Sequence, residues 1–335
     1  MSIDGRSFAA AQAFLLGCKT YWTRTIYPAV REEYQAGKKL EESVLYQYYC
    51  WLERHLQRFK YSGRYGLQPY HAQQRQRLEA ELRDAAVELA AKPEYPDYYT
   101  RIDIHQHPGG VWSDPIAGFV YERGARSTTP LAGGRHRDLH DRLTSVALEL
   151  SPRPSRVLDM GCGFGKSTRP FYETLKDAEV EGVDLSAPCL RLAARDAAAA
   201  GAKRVRFRQM DCARTDYADA SFDLVTSTML LHEMPPEVVE RTLAEGYRVL
   251  RPGAAMVHLD FLPKDDAFHR LIHFGHSKRN NEPFMEPLAR MDLPALLKKL
   301  GFRDIRIEPF EEADGVLEPG YRSWRFPWTV ISARR

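Results

Sequence analysis

No stretch of the 335-residue chain approaches the roughly eighteen apolar residues of a membrane-spanning helix, and no membrane partner is expected. Charge of one sign is also scarce: 48 Lys and Arg stand against 45 Asp and Glu, a net +3, with the basic residues spread along the chain. A nucleic-acid binder would concentrate them in a stripe, so no nucleic-acid partner is expected either. The five cysteines, Cys18, Cys50, Cys162, Cys189 and Cys212, are odd in number and lack a Cys-x-x-Cys spacing. That argues against a disulfide framework or a thiolate metal centre, and for a reducing, cytoplasmic setting. There is no internal repeat, and the one low-complexity tract is Ala197 to Ala200. The apolar run from Phe8 to Gly17 lacks the marks of a cleavable leader, because Asp4 precedes it, Gln12 interrupts it and no small-residue cleavage site follows. It reads as a helix face.

What is present describes two regions that meet near residue 130. Residues 1–130 hold helical segments rich in aromatics: Tyr21, Trp22, Tyr27 and Tyr34, then Tyr46, Tyr48, Tyr49, Trp51 and Phe59. Such rings wall an apolar ligand cavity, or pack as the core of a helical cap, or form a homodimer seam; core packing is the reading favoured for most of them. A third helix is predicted over Gln73 to Ala91, where Leu78, Leu82, Ala85 and Leu89 recur at helical intervals. A short strand is predicted at Tyr99 to His105, and residues 111–135 read as an irregular linker or lid. On a strand, His105 and His107 would face one side. More often such a pair is only hydrogen-bonded beside a turn, here Pro108-Gly109-Gly110; of the functional readings, substrate contact is favoured over a metal.

Residues 131–335 alternate strands and helices. Arg156 to Asp159 reads as a buried strand, followed by Gly161, Gly163 and Gly165, a helix, and a second strand ending in Asp184. Strand, glycine turn, helix and acid-tipped strand describe a nucleotide-cofactor site. The dinucleotide pattern would need glycine at 166, where the chain has Lys166. Asp159, just before the turn, sits badly beside a pyrophosphate and well beside a cationic ammonium group.

On these residues the chain resembles the class I S-adenosylmethionine-dependent methyltransferases. The resemblance continues through Arg204 to Met210 with Asp211 after it, Phe222-Asp223-Leu224-Val225, the turn Leu250-Arg251-Pro252-Gly253 and the strand Ala254 to Phe261. It covers about residues 136–335. It implies an α/β fold with a doubly wound, seven-stranded, mostly parallel sheet whose last strand is antiparallel, carrying an amino-terminal helical cap. The last two strands, Phe302 to Phe310 and Ser323 to Ala333, leave no room for a crossover helix and should pair antiparallel. It further implies S-adenosyl-L-methionine as cofactor and S-adenosyl-L-homocysteine as product. Gly161, Gly163 and Gly165 would then cradle the cofactor, Asp159 lie near its ammonium, Asp184 and Leu185 at its ribose, Asp211 and Cys212 at its adenine, with Thr228 beside it.

A sulfonium methyl is already activated, so such a site must chiefly hold a nucleophile in line, exclude water and remove a proton. His232, after the fourth strand, is the candidate base, with Glu233 beside it; neutral imidazole accepts a proton near pH 7. The plainer alternative makes both residues the approach to a helix opened by Pro235. Thr226 to Leu231 lacks the Asp/Asn-Pro-Pro-aromatic tetrad of enzymes that methylate DNA bases, so a flipped base is not the expected acceptor. Tyr121 is expected over the sulfonium, and the insertion from Pro263 to Met291 contributes His273 and Phe284 to the substrate side. His269, His273 and His276 share a helix face, without an acid cluster to make a metal site. The expected function is methylation of a small apolar or aromatic metabolite at oxygen or carbon, as in natural-product biosynthesis. A protein or peptide methyltransferase and a non-catalytic cofactor-binding subunit are the alternatives.

Overall fold

The computed structural model describes residues 3–126, 137–263, 266–311 and 328–335. Helix α1 (Gly5–Tyr21) begins at Asp4, whose carboxylate accepts from the Arg6 and Ser7 amides and so satisfies two orphan donors of the first turn. Helix α2 (Tyr27–Gln35) carries Pro28 in its first turn. Proline has no N–H to give to the preceding turn, and the chain widens there into a π-turn, Trp22–Ile26, that joins the two helices. Ser43 caps α3 (Val44–Ser62), its hydroxyl accepting from the Tyr46 amide at 3.0 Å. Short helices α4 (Leu67–Ala72), α5 (Arg75–Glu81), α6 (Asp97–Thr100) and α7 (Ala117–Ala125) complete the region.

Three expectations are corrected here. The helix predicted over residues 73–91 stops at Glu81. Beyond it the Glu88 backbone bonds to Phe207 and Gln209 at the sheet's open edge while Ala85 and Val87 pack against the core; an unpaired edge offers backbone partners that override a helical pattern. The strand predicted over residues 99–105 is α6 followed by a 3₁₀ turn, Ile104–Gln106. His105 and Gln106 there have φ of 56° and 55°, which breaks the two-residue alternation expected for His105 and His107. Residues 111–135 are not wholly irregular, since α7 lies within them; the boundary near residue 130 falls outside the described residues.

The remaining elements are α8 (Asp138–Leu150), β1 (Arg156–Met160), α9 (Thr168–Thr174), β2 (Glu179–Asp184), α10 (Ala187–Ala199), β3 (Val205–Gln209), β4 (Phe222–Thr228), α11 (Pro236–Val249), β5 (Leu250–Phe261), α12 (Ala267–Arg279), α13 (Met285–Ala289), α14 (Leu293–Lys299), β6 (Arg303–Pro309) and β7 (Trp328–Arg334). They form one seven-stranded sheet in the order β3-β2-β1-β4-β5-β7-β6. Strands β1 to β5 pair in parallel, and β7 runs antiparallel to both β5 and β6. Residues 323–327 of the expected last strand lie outside the described residues. Apolar clusters cover both sheet faces, fed from alternate positions of the central strands: Val157, Val180 and Leu224 on one face, Leu158, Val183 and Val225 on the other. The strand order reverses between β1 and β4, the place where open α/β sheets form a crevice at their carboxyl ends.

The insertion after β5 is not a surface excursion. Helix α12 sends Phe268 and Ile272 into the cap's own core, against Trp22, Tyr27 and Tyr49. No described helix is long and apolar enough to cross a membrane.

Candidate active site

The crevice begins where β1 ends. Gly161, Gly163 and Gly165 all have positive φ, a backbone region that residues with a Cβ rarely enter. At Gly165 a Cβ would meet Ala193 of α10 at 2.8 Å, whereas at Gly163 it would project into open space. The loop therefore turns tightly against its helix and presents bare backbone at its tip. The Gly163 amide donates to Asp184 Oδ2 at 2.9 Å, and the Ser186 amide to Oδ1 at 2.7 Å. Burial raises the Asp184 carboxyl above its ordinary range despite these amides. Asp159 is fully buried beneath the loop, where Oδ2 accepts from Ser167 and Thr168, both at 2.7 Å. Burial outweighs those hydroxyls and pushes it up to about 6. Its other oxygen, Oδ1, has no hydrogen-bond partner.

Beyond β4 and β5 lies a chain of buried charges. His232 is held at Nδ1 by Asp260 Oδ1 at 2.6 Å, and its Nε2 stands 3.4 Å from Glu233. Asp260, at the end of β5 and fully buried, also accepts from the Leu231 and Phe261 amides at 2.7 Å. His105 bridges two carboxylates, Glu233 at Nε2 and Glu282 at Nδ1, each at 3.0 Å. Burial alone would depress both imidazoles, yet the carboxylates prevail. His105 is pushed up to about 9, and Asp260 with Glu233 holds His232 well above its ordinary value. Burial opposes the charge of Glu233 and Glu282 too, and the imidazoles lower both. The expectation of a neutral His232 near pH 7 is therefore corrected: two flanking carboxylates favour its charged form.

One cavity of about 300 Å³ joins these parts. Gly161, Gly163, Asp184 and Thr228 line its sheet side, with His232 and Glu233 beyond them. Trp22, Leu56, Lys60 and Tyr61 line it from the cap. Tyr121 and His105 also line it, their rings stacked with centroids 6.1 Å apart, and Tyr121 meets Phe164 of the glycine loop edge-on at 5.5 Å.

His276, Asn280 and Glu282 of the insertion also line the cavity, whereas the other predicted residues do not. Asp159 and Gly165 support the loop from behind. Leu185 accepts at its carbonyl from Gln209 at 2.8 Å, and Asp211 Oδ1 accepts from the Ala213 amide at 2.8 Å, with Cys212 buried next to it. His107 is buried against Tyr61, His273 meets Phe261 edge-on at 6.3 Å, and Phe284 packs on Tyr98. His269 pairs with Asp266 and His276 with Glu53, so the three histidines on α12 have three different surroundings.

Asp260 and Lys60 were not anticipated from the sequence. An acid near the end of the mostly apolar strand Ala254 to Phe261 was the available sign for the first. For the second it was spacing: Tyr49, Glu53, Leu56 and Lys60 recur at helical intervals, which puts two charges in the buried stripe of α3.

The sheet order, glycine turn and acid-tipped β2 match the arrangement expected of a class I methyltransferase domain, the class whose cofactor is S-adenosylmethionine. The residues fit that group. Bare backbone at Gly163 and the Asp184 carboxylate face the cavity, and Asp159 keeps an unpartnered oxygen under the loop. Residues 157–253 match the family described as Methyltransferase domain. The chain is 35% identical to a demethylmenaquinone methyltransferase of Thermus thermophilus over 142 residues, which covers 42% of this chain and 63% of that one. It is 28% identical to the O-methyltransferase cnsE of Penicillium expansum, over 67% of this chain and 79% of that one. A SAM-dependent methyltransferase of Aquifex aeolicus aligns with a TM-score of 0.45 at 17% identity, over 66% of this chain and 97% of that structure. The chain thus spans somewhat under two thirds of the length of the Thermus thermophilus relative.

Proposed function

We propose that this protein transfers a methyl group from S-adenosylmethionine to a small apolar or aromatic molecule, at oxygen or carbon, in a reducing cytoplasmic setting. The observation that carries the reading is the shared cavity, walled by the glycine loop on one side and by Trp22, Leu56 and Tyr61 of the cap on the other. A concave, mostly apolar cavity of about 300 Å³ suits a small molecule better than a polypeptide, which would need an extended groove. The five unpaired thiols support the reducing setting.

When bound, the cofactor supplies an electrophilic methyl. The chain's residues do the rest. The glycine loop and Asp184 hold and orient, and the cap's apolar wall keeps water from the reacting atoms. Asp260 fixes His232 through Nδ1, so that Nε2 addresses Glu233 and the cavity. His232 acts as the base once it has lost its proton, and its carboxylate neighbours move that event to higher pH.

The test pairs binding with rate. Midpoints of thermal unfolding are measured with and without S-adenosylhomocysteine, using NAD as control. Methyl transfer from labelled donor to metabolite extracts is then followed across pH. The expected results are a rise with S-adenosylhomocysteine alone and a rate that climbs with pH in the wild type but not in His232→Gln. A rise with NAD instead would overturn the cofactor assignment. A pH limb that survives in the variant would overturn the base.

A further inference from the structure

The cap wall of the cavity carries a charge that methyl transfer does not use. Four carboxylates in or behind the cavity's lining are already matched to imidazole or guanidinium groups. Glu53 pairs with His276 at 2.6 Å and with Arg279, Glu233 with His105 and His232, Glu282 with His105, and Asp260 with His232. Lys60, on the inner face of α3, is only 3% exposed and lines the cavity. Among the described residues it has no hydrogen bond or salt bridge, and its ammonium lies 4.6 Å from the centre of the Tyr61 ring. Lys19 of α1 lines the same wall.

A lysine is almost never buried without a counter-charge, because removing an ammonium from water is costly. Here the protein supplies the hole and the cation, and the carboxylate that acts on that cation, Glu282, is already bonded to His105. Resting on the methyl-transfer reading, we propose that Lys60, reinforced by Lys19, is an anion subsite and that the methyl acceptor is a small carboxylic acid. Its carboxylate docks at Lys60, its apolar body lies against Trp22, Leu56 and Tyr61, and its nucleophilic atom is directed across the cavity toward Gly163 and His232. The electrostatics agree with the geometry. Burial pulls the Lys60 ammonium well below its ordinary range, Lys19 adds to this, and Glu282 offsets it only in part. An arriving carboxylate is the partner that restores the charged form.

The experiment uses the full chain saturated with S-adenosylhomocysteine. Thermal midpoints are recorded with benzoate and 1-naphthoate and with their neutral amides, benzamide and 1-naphthamide. The acids should raise the midpoint and the amides should not. In Lys60→Met, and equally in Lys60→Gln, acid binding should weaken by about 30-fold or more, while the increment from S-adenosylhomocysteine persists and proves the variants folded. Lys60→Met should also raise the midpoint of the ligand-free protein, since a buried amine is replaced by an apolar chain of similar length. Equal effects of acids and amides, no increment from either acid, or an acid increment that survives both substitutions overturns the subsite. Absence of any S-adenosylhomocysteine increment in the wild type overturns the methyl-transfer reading instead, and the acid-against-amide comparison still decides the subsite.

Discussion

The two halves of the molecule distribute polarity in opposite ways. In the sheet half, β1 buries Val157, Leu158 and Met160 completely, and Asp159 between them is bonded by two hydroxyls. In the cap, every strongly exposed large hydrophobic among the described residues lies between Phe14 and Tyr65, with Val44 at 78% and Phe59 at 61%, while Glu53, Gln57 and Lys60 are turned inward. Exposed apolar side chains taken singly are common; buried charges are the informative observation. The cap turns part of its inward polarity, Glu53, Gln57 and Lys60, toward the cavity.

The largest break in that contrast should come from Glu53→Ala. It strands Arg279 and removes the partner of His276, and should cost about 3 to 5 kcal/mol, the usual result of breaking a buried pair from one side. Urea unfolding measures it, and a loss under 1 kcal/mol would mean that the cap's inner charges carry no structural weight.

The pH profile sharpens the contrast next. His105 has a folded value near 9, above its ordinary 6.5, so its contribution is complete below pH 6.5 and is lost as pH rises through 9. His107 in the cap and His258 in the sheet are held neutral by burial, both at about 4. Their contributions are complete above pH 6.5 and are lost as pH falls through 4. These three groups by themselves place the stability maximum near pH 6.5, while Asp159, raised to about 6 by burial, works against the acid limb. His105→Gln should flatten the alkaline limb by roughly 3 kcal/mol, read as a difference from the wild type because Lys19, lowered to about 8 by burial, titrates in the opposite sense.

Asp184→Ala tests the sheet half alone. At one hundred times the dissociation constant, S-adenosylhomocysteine should stabilise the wild type by about 2.7 kcal/mol, and the variant should lose most of that increment. The smallest effect is expected on the outer surface of the cap. Trp51→Ser and Phe59→Ser should change stability by no more than about 0.5 kcal/mol. Gel filtration of the same variants tests the homodimer seam: a smaller apparent mass than the wild type supports it, and no change removes it.

Legibility followed the same division. The sheet was readable because pairs such as Val157-Leu158 and Leu224-Val225 give a parallel strand an apolar side chain on each buried face, and because the positive-φ positions of the turn Gly161 to Gly165 admit few residues other than glycine. In the cap, aromatic content did not reveal orientation. Tyr21 and Trp51 were grouped with Trp22 and Tyr49 as core, yet the first two are each 52% exposed and the latter two are buried. On a helix, neighbours in sequence lie about 100° apart, and a segment with rings all round does not declare its inner face. The charges did: Glu53 and Lys60 share the stripe of Tyr49 and Leu56.

By itself the sequence determined the strand order's main signature, the glycine turn with its two acids, and the place of His232 after β4, because each follows from local backbone geometry and periodicity. Only the tertiary structure decided the rest. It brought Asp260 from β5 to His232, Glu282 from the insertion to His105, and Lys60 from the cap to a cavity shared with Asp184. These contacts join residues far apart in the chain, and no local pattern encodes which buried charge will meet which.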